Sequence, residues 1–223
     1  MKAVALTLAW LALGAIQAFA QVPRAQVPQP ILQAPEAVRV VVLGDSLSAG
    51  FELPQSASLP ARLQTLLTQQ GQNVEIINAG VSGDTASDGL ARLDWSVPEN
   101  ADAVIVELGA NDALRGIDPK ITRAALDEIL ARLTKRGGKI LIAGMIAPLN
   151  LGANYGAAFN PIFADLAARY GAILYPFILE GVAGESALQL RDRMHPNAEG
   201  TKRMAELMLP FVQQLIVKIR LKP

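Results

Sequence analysis

The 223-residue sequence has no cysteine and a single histidine, His195. The first absence removes disulfides, thiolate nucleophiles, thiolate metal sites and lipid attachment at a cysteine. The second removes any site that needs two imidazoles, and a hydrolytic zinc centre cannot be assembled without such ligands. Net charge is missing too, with 20 Lys+Arg against 20 Asp+Glu. No basic excess exists to neutralise a phosphate backbone, so no nucleic-acid partner is expected. Aromatic residues make up 5% of the chain, and of its two tryptophans Trp10 lies in the N-terminal apolar run, leaving Trp95 alone. What the chain does have is apolar bulk: 51% hydrophobic and 18% charged residues, the composition of a chain that buries a core.

Met1-Lys2 gives a short positive start, Ala3 to Ile16 is apolar, and Ala18-Phe19-Ala20 places small residues at the first and third positions. This is the layout of a secretory signal peptide cleaved after Ala20. The run is shorter than the ~20 residues that a spanning helix needs. Gln21 to Ala37 holds Pro23, Pro28, Pro30 and Pro35 without apolar periodicity, the pattern of an extended leader. The expected organisation is a signal peptide over 1–20, a Pro-rich leader over 21–37 and one folded domain over 38–223. The processed chain, without Lys2, carries 19 basic against 20 acidic residues. It is expected in the periplasm or medium, monomeric and not inserted in a membrane.

Val38 to Leu43 is a nearly continuous β-branched run of the kind buried on both faces of a parallel sheet. Similar runs recur at Val74–Ile77, Ala103–Leu108, Lys139–Met145 and Ala172–Tyr175. Helical spacings lie between them. Leu63, Leu66 and Leu67 follow Pro60 and end at Gly71; Leu126, Ile129, Leu130 and Leu133 lie between Asp118-Pro119 and Gly137-Gly138. Asn160-Pro161 reads as the cap and first turn of a helix carrying Ile162, Phe163, Leu166 and Tyr170. A last helix places Met204, Leu207, Met208, Phe211, Leu215 and Ile219 on one stripe, with a kink expected at Pro210. Alternation of this kind predicts one doubly wound α/β domain. In such folds ligands gather beyond the carboxyl ends of the strands.

Three strand ends carry polar turns: Gly44-Asp45-Ser46-Leu47, Asn78-Ala79-Gly80 and Gly109-Ala110-Asn111-Asp112. Each alone is as easily a plain turn. Together they bring a hydroxyl, a bare backbone and a carboxamide to one rim. Ahead of the last helix stands Asp192-Arg193-Met194-His195-Pro196. Asp192, three residues before His195, is close enough in one loop to accept from its Nδ1 and fix the tautomer. A serine needs a base to take its proton, and the sole imidazole is His195. The Ser46, Asp192, His195 order is that of α/β-hydrolases, yet Gly44-Asp45-Ser46-Leu47-Ser48 is not their Gly-x-Ser-x-Gly elbow. Neither a Gly-x-Gly-x-x-Gly nor a Gly-Lys-Ser/Thr phosphate loop is present.

These residues together resemble the SGNH (GDSL) hydrolase superfamily, and within it the secreted bacterial arylesterases and acyl-thioesterase/lysophospholipases. The matching blocks are Leu43–Gly50, Asn78–Thr85, Leu108–Gly116, Ala153–Gly156 and His195-Pro196-Asn197, in the family's order. The resemblance implies a three-layer α/β/α domain with a five-stranded parallel sheet in flavodoxin-like order, and no metal or organic cofactor. It implies Ser46 as nucleophile, His195 as general base and acid, and Asp192 as its orienting partner. It also implies an oxyanion hole from the N–H of Ser46, the N–H of Gly80 and the side-chain amide of Asn111. The implied substrates are small acyl esters or thioesters, with lysophospholipids included, and the stretch Ala147–Tyr155 matches a loop that shapes the acyl pocket in relatives.

Two other readings stand beside this one. The same triad would serve an O-acetyl esterase of envelope polysaccharide, although Trp95 alone makes no platform for stacking sugars. A non-catalytic domain could keep the fold, although Ser46, His195 and Asn111 are all present. The remaining charges carry plainer expectations. Asp45 and Asp112 orient turn backbones through Asx hydrogen bonds, and Asp84 caps the following helix. Glu107, in an apolar strand, needs a partner, with Arg115 and Arg92 as candidates. The basic tail Lys218–Lys222 could touch anionic lipid headgroups, but with three charges a solvated terminus is the expectation.

Overall fold

A computed structural model describes residues 36–221. The expected signal peptide and nearly all of the expected leader lie outside the described residues. Five strands form the frame: β1 (Val38–Gly44), β2 (Val74–Gly80), β3 (Ala103–Glu107), β4 (Lys139–Ala143) and β5 (Ile173–Tyr175). They pair in parallel in the order β2-β1-β3-β4-β5. This is the flavodoxin-like order. Val40 to Leu43 and Ala103 to Val106 are buried on both faces of the sheet, which is why these strands read as unbroken apolar runs rather than alternating ones.

The helices are α1 (Ser46–Ala49), α2 (Leu59–Gln69), α3 (Ala86–Ala91), α4 (Leu93–Ser96), α5 (Ala110–Leu114), α6 (Pro119–Lys135), α7 (Ala153–Phe159), α8 (Pro161–Tyr170) and α9 (Ala198–Arg220). α2 and α9 pack together as one helical layer, and α3, α6 and α8 as another. Local chemistry sets their ends. Ser58 caps α2 ahead of Pro60, and Asp118 caps α6 ahead of Pro119, as the Pro-at-first-turn pattern requires. No helix among the described residues is long and apolar enough to cross a membrane.

One helix expectation changes. Asn160 is not a capping side chain, because it is already helical (φ −60°, ψ −36°) at the junction of α7 and α8. Its Oδ1 instead accepts the N–H of Ala147 at 2.9 Å. Pro210 sits inside α9 without ending it. Along that helix Met204, Met208, Leu215 and Ile219 are buried as expected, joined by Val212 and Ile216, whereas Leu207 and Phe211 are only partly covered.

The sheet order reverses at β1, which pairs with both β2 and β3. The crevice beyond the carboxyl ends of β1 and β3 is therefore the topological switch point, where open α/β sheets bind ligands. Register places Gly44 beside both Gly80 and Glu107. The residues just past these three positions form the site.

Candidate active site

Ser46 opens α1, directly after β1. Asp45 caps that short helix, its Oδ1 accepting the N–H of Leu47 at 2.9 Å. The N–H groups of Gly50 and Phe51 close the turn onto the carbonyl of Ser46. This leaves the Ser46 hydroxyl at the rim, the residue being 8% exposed.

His195 reaches it from 149 positions away in sequence, with Nε2 2.9 Å from Ser46 Oγ. On the other side of the ring, Nδ1 lies 2.6 Å from Asp192 Oδ2. An imidazole that donates Nδ1–H to a carboxylate presents Nε2 as acceptor, so the Ser46 hydroxyl donates to it. The Asp192 loop folds around its own carboxylate, whose Oδ1 accepts the N–H groups of Met194 at 2.9 Å and His195 at 3.0 Å. Closing that turn puts Arg193 at φ 55°, a left-handed conformation costing about 1–2 kcal/mol for a residue with a Cβ. Partial burial would raise the Asp192 carboxyl, but the hydrogen bonds from His195 and Met194 outweigh it and bring it down to about 2. Phe51 lies against the imidazole, its ring centroid 4.4 Å from that of His195.

The expected oxyanion donors need correction. The N–H of Gly80, at the end of β2, is already donated to Asn78 Oδ1 at 2.9 Å. A Cβ on Gly80 would meet Ala49 N at 2.4 Å and Asp45 O at 2.9 Å. This glycine exists to let β2 press on the α1 turn, and its N–H is not free to receive an oxyanion. Asn111 is at the rim, at the start of α5, but Nδ2 donates to Asp45 Oδ2 at 3.1 Å and to the carbonyl of Asp84 at 3.0 Å. Among the described residues, the N–H groups of Ser46 and Gly83 have no protein acceptor. Gly83 has φ +91°, the region that favours glycine. Its carbonyl is held by Arg115 Nη2 at 2.7 Å, and its neighbour Asp84 supplies the carbonyl that Asn111 grips.

Below the rim the remaining charges find partners other than those expected. Glu107 bonds to neither Arg92 nor Arg115. Its Oε2 lies 2.6 Å from Ser48 Oγ and accepts the N–H of Asp45 at 3.2 Å. Full burial, reinforced by the nearby Asp45, holds the Glu107 carboxyl well above the ordinary range, so it sits there neutral rather than salt-bridged. Gly44 is the space this contact needs, since a Cβ there would meet Ser48 Oγ at 2.3 Å and Glu107 Oε2 at 2.5 Å. Asp84 does not cap α3. Thr85 does, in a capping box with Asp88. Asp84 pairs with Arg92 Nε at 2.5 Å, and the same guanidinium donates to the carbonyls of Ala79 and Gly44, both at 2.8 Å. Asp45 caps its own turn as expected; Asp112 instead ties α3 to α6 by accepting from Ala86 N–H and Thr122 Oγ, both at 2.8 Å.

Beside Ser46 and His195 opens a cavity of about 170 Å³ lined chiefly by apolar side chains, Ala113, Leu114, Met145, Ile146, Phe177 and Met194 among them. Of the stretch Ala147–Tyr155, only Pro148 reaches its wall. Sequence reasoning missed Gly83, Arg92 as a clamp on two strand ends, and Phe51 against the imidazole. Only Gly83 had a visible signal, a glycine inside the Asn78–Thr85 block.

Residues 42–203 match the GDSL-like lipase/acylhydrolase family. An arylesterase of Vibrio mimicus is 38% identical over 181 residues, which cover 81% of this chain and 88% of the relative. Thioesterase 1/protease 1/lysophospholipase L1 of Escherichia coli (strain K12) is 36% identical over 179 residues, 79% of this chain and 84% of that protein. The crystal structure of TesA aligns with a TM-score of 0.75 at 35% identity, covering 79% of this chain and 99% of the other.

Proposed function

The chain belongs to the GDSL-like lipase/acylhydrolase family, and from that premise we propose that it is a serine hydrolase of carboxylic esters that works through an acyl-enzyme on Ser46. One observation carries the reading: the hydroxyl, imidazole and carboxylate of Ser46, His195 and Asp192 stand in line at 2.9 and 2.6 Å. Ser46 Oγ attacks the acyl carbonyl while its proton passes to His195 Nε2. Asp192 holds the ring's orientation and stabilises the imidazolium that forms. The tetrahedral oxygen takes the free N–H groups of Ser46 and Gly83, with the Asn111 amide at the same rim. Collapse expels the alcohol, phenol or thiol, which takes its proton from His195. Water then attacks the acyl-enzyme, His195 again accepting a proton and returning it to Ser46.

The apolar cavity beside Ser46 favours acyl chains over acetylated sugars as the group bound there. Arylesters, acyl thioesters and lysophospholipids, the substrates named in its relatives, are the classes to try. Ser46→Ala is expected to lower turnover of 4-nitrophenyl butyrate by at least 10³-fold, and wild-type-like turnover in that variant would refute the reading.

A further inference from the structure

Beneath Ser46 lies a carboxyl group for which the chemistry above has no use. Asp45 is fully buried, and its two oxygens serve two different walls of the site. Oδ1 accepts the N–H of Leu47 at 2.9 Å, in the turn that carries Ser46; Oδ2 accepts Asn111 Nδ2 at 3.1 Å, at the head of α5. It is thereby joined both to the turn of the nucleophile and to the amide that faces the same rim. Its own N–H donates to Glu107 Oε2 at 3.2 Å, which fixes the Asp45 backbone from below.

Resting on the ester-hydrolase reading, we infer that Asp45 is a positioning residue for the reaction, holding the Ser46 turn and the Asn111 amide at a fixed separation and directing that amide toward the transition-state oxygen. An ionised oxygen is a stronger acceptor than a neutral carbonyl. Asn111 therefore keeps one hydrogen on Asp45, while the other, on the carbonyl of Asp84 at 3.0 Å, is the one that an oxygen gaining charge can win. The commitment of both amide hydrogens, at odds with a free donor at first sight, becomes the device that aims one of them.

The charged groups around Asp45 are Glu107 from β3, Asp84 from the turn after β2 and His195 from the loop before α9, while Arg92, just after α3, holds Asp84 and the carbonyl of Gly44. Burial raises Asp45 to about 6, against the opposing pull of the Leu47 N–H, the charge of His195 and the Asn111 amide. Glu107, held neutral, does not repel it. Above about pH 6 the ionised carboxylate accepts both bonds. As the pH falls through that value a proton occupies one oxygen, turns an acceptor into a donor facing an N–H, and one bond is lost. Turnover should fall with it.

The test is Asp45→Asn, which keeps the size but sets an amide NH₂ against one of two N–H donors. The expected result is a loss of kcat of about 10²-fold, the scale on which a misplaced catalytic group is felt, with KM for 4-nitrophenyl butyrate changed less than about twofold. Ser48→Ala, which removes a contact of Glu107 but neither bond of Asp45, should keep kcat within about threefold. A kcat for Asp45→Asn within that same factor of wild type overturns the inference, as does an equal loss in Ser48→Ala. Should Asp45→Asn fail to fold, the wild-type profile decides: kcat should fall as the pH drops through about 6, where Asp45 takes up a proton, and a kcat that stays flat down to about pH 5 overturns the inference. Labelling of Ser46 by a fluorophosphonate in each protein separates these outcomes from failure of the ester-hydrolase reading, which would abolish labelling in the wild type as well.

Discussion

Lengthening the acyl chain of a substrate one methylene at a time measures the cavity beside Ser46 directly. The cavity holds about 170 Å³, and a group of methylene or water size takes about 30 Å³, so five or six such groups fit beyond the acyl carbonyl. Each buried methylene is worth about 0.8 kcal/mol, or nearly fourfold in kcat/KM. From acetate to hexanoate the gain should approach about 10²–10³-fold and then level off, because further carbons project past the rim into water. Filling the cavity gives the sharper version. Ala113 is 2% exposed on α5 and lines the cavity wall, and Ala113→Leu adds three carbons there, close to half the space. The plateau should retreat to about propionate or butyrate, and hexanoate should lose about 50-fold while acetate is unchanged within a few-fold. The assay is kcat/KM on 4-nitrophenyl esters from C2 to C10 for both proteins. A wild-type rate that falls steadily from acetate, or an Ala113→Leu profile that parallels the wild type across all lengths, would refute the assignment of this cavity to the acyl chain.

Two further outcomes concern stability. Arg92→Met removes the guanidinium that pairs with Asp84 and grips the carbonyls of Ala79 and Gly44; breaking such a buried pair costs about 3–5 kcal/mol. Urea unfolding should show a loss of that size, and one below about 1 kcal/mol would contradict the clamp. Asp192, brought down to about 2 from an ordinary 3.8, contributes stability that is fully present above pH 3.8 and is lost as the pH falls toward 2. Asp192→Asn should therefore unfold at lower urea than the wild type near pH 6, with the gap closing toward pH 2; a gap independent of pH would count against the His195 and loop hydrogen bonds as its cause.

The strands were legible because a parallel sheet buried on both faces leaves continuous apolar runs, and Val40 to Leu43 show this in burial as they do in sequence. Ser46, Asp192 and His195 were legible because the chain offers one imidazole, and an acid three residues before it can share its loop. The donors were not. Gly80 and Gly83 stand in the same short block, and what separates them is which N–H is already used, a property of the folded turn and not of residue type. The partners of Glu107 escaped for a related reason. Its neighbours, Ser48 and the Asp45 backbone, lie 59 and 62 positions away, and burial favours a neutral acid over the ion pair that charge alone suggests. Arg92, read only as a possible mate for Glu107, belongs to the same class of long-range ties.

The distance of 149 positions between Ser46 and His195 has a consequence for the life of the molecule before it is finished. A chain synthesised only through β4 would hold the proposed nucleophile, Ser46, but not the proposed base, because the one imidazole of the sequence is still to come. On the proposed mechanism, ester hydrolysis therefore waits for the loop ahead of α9.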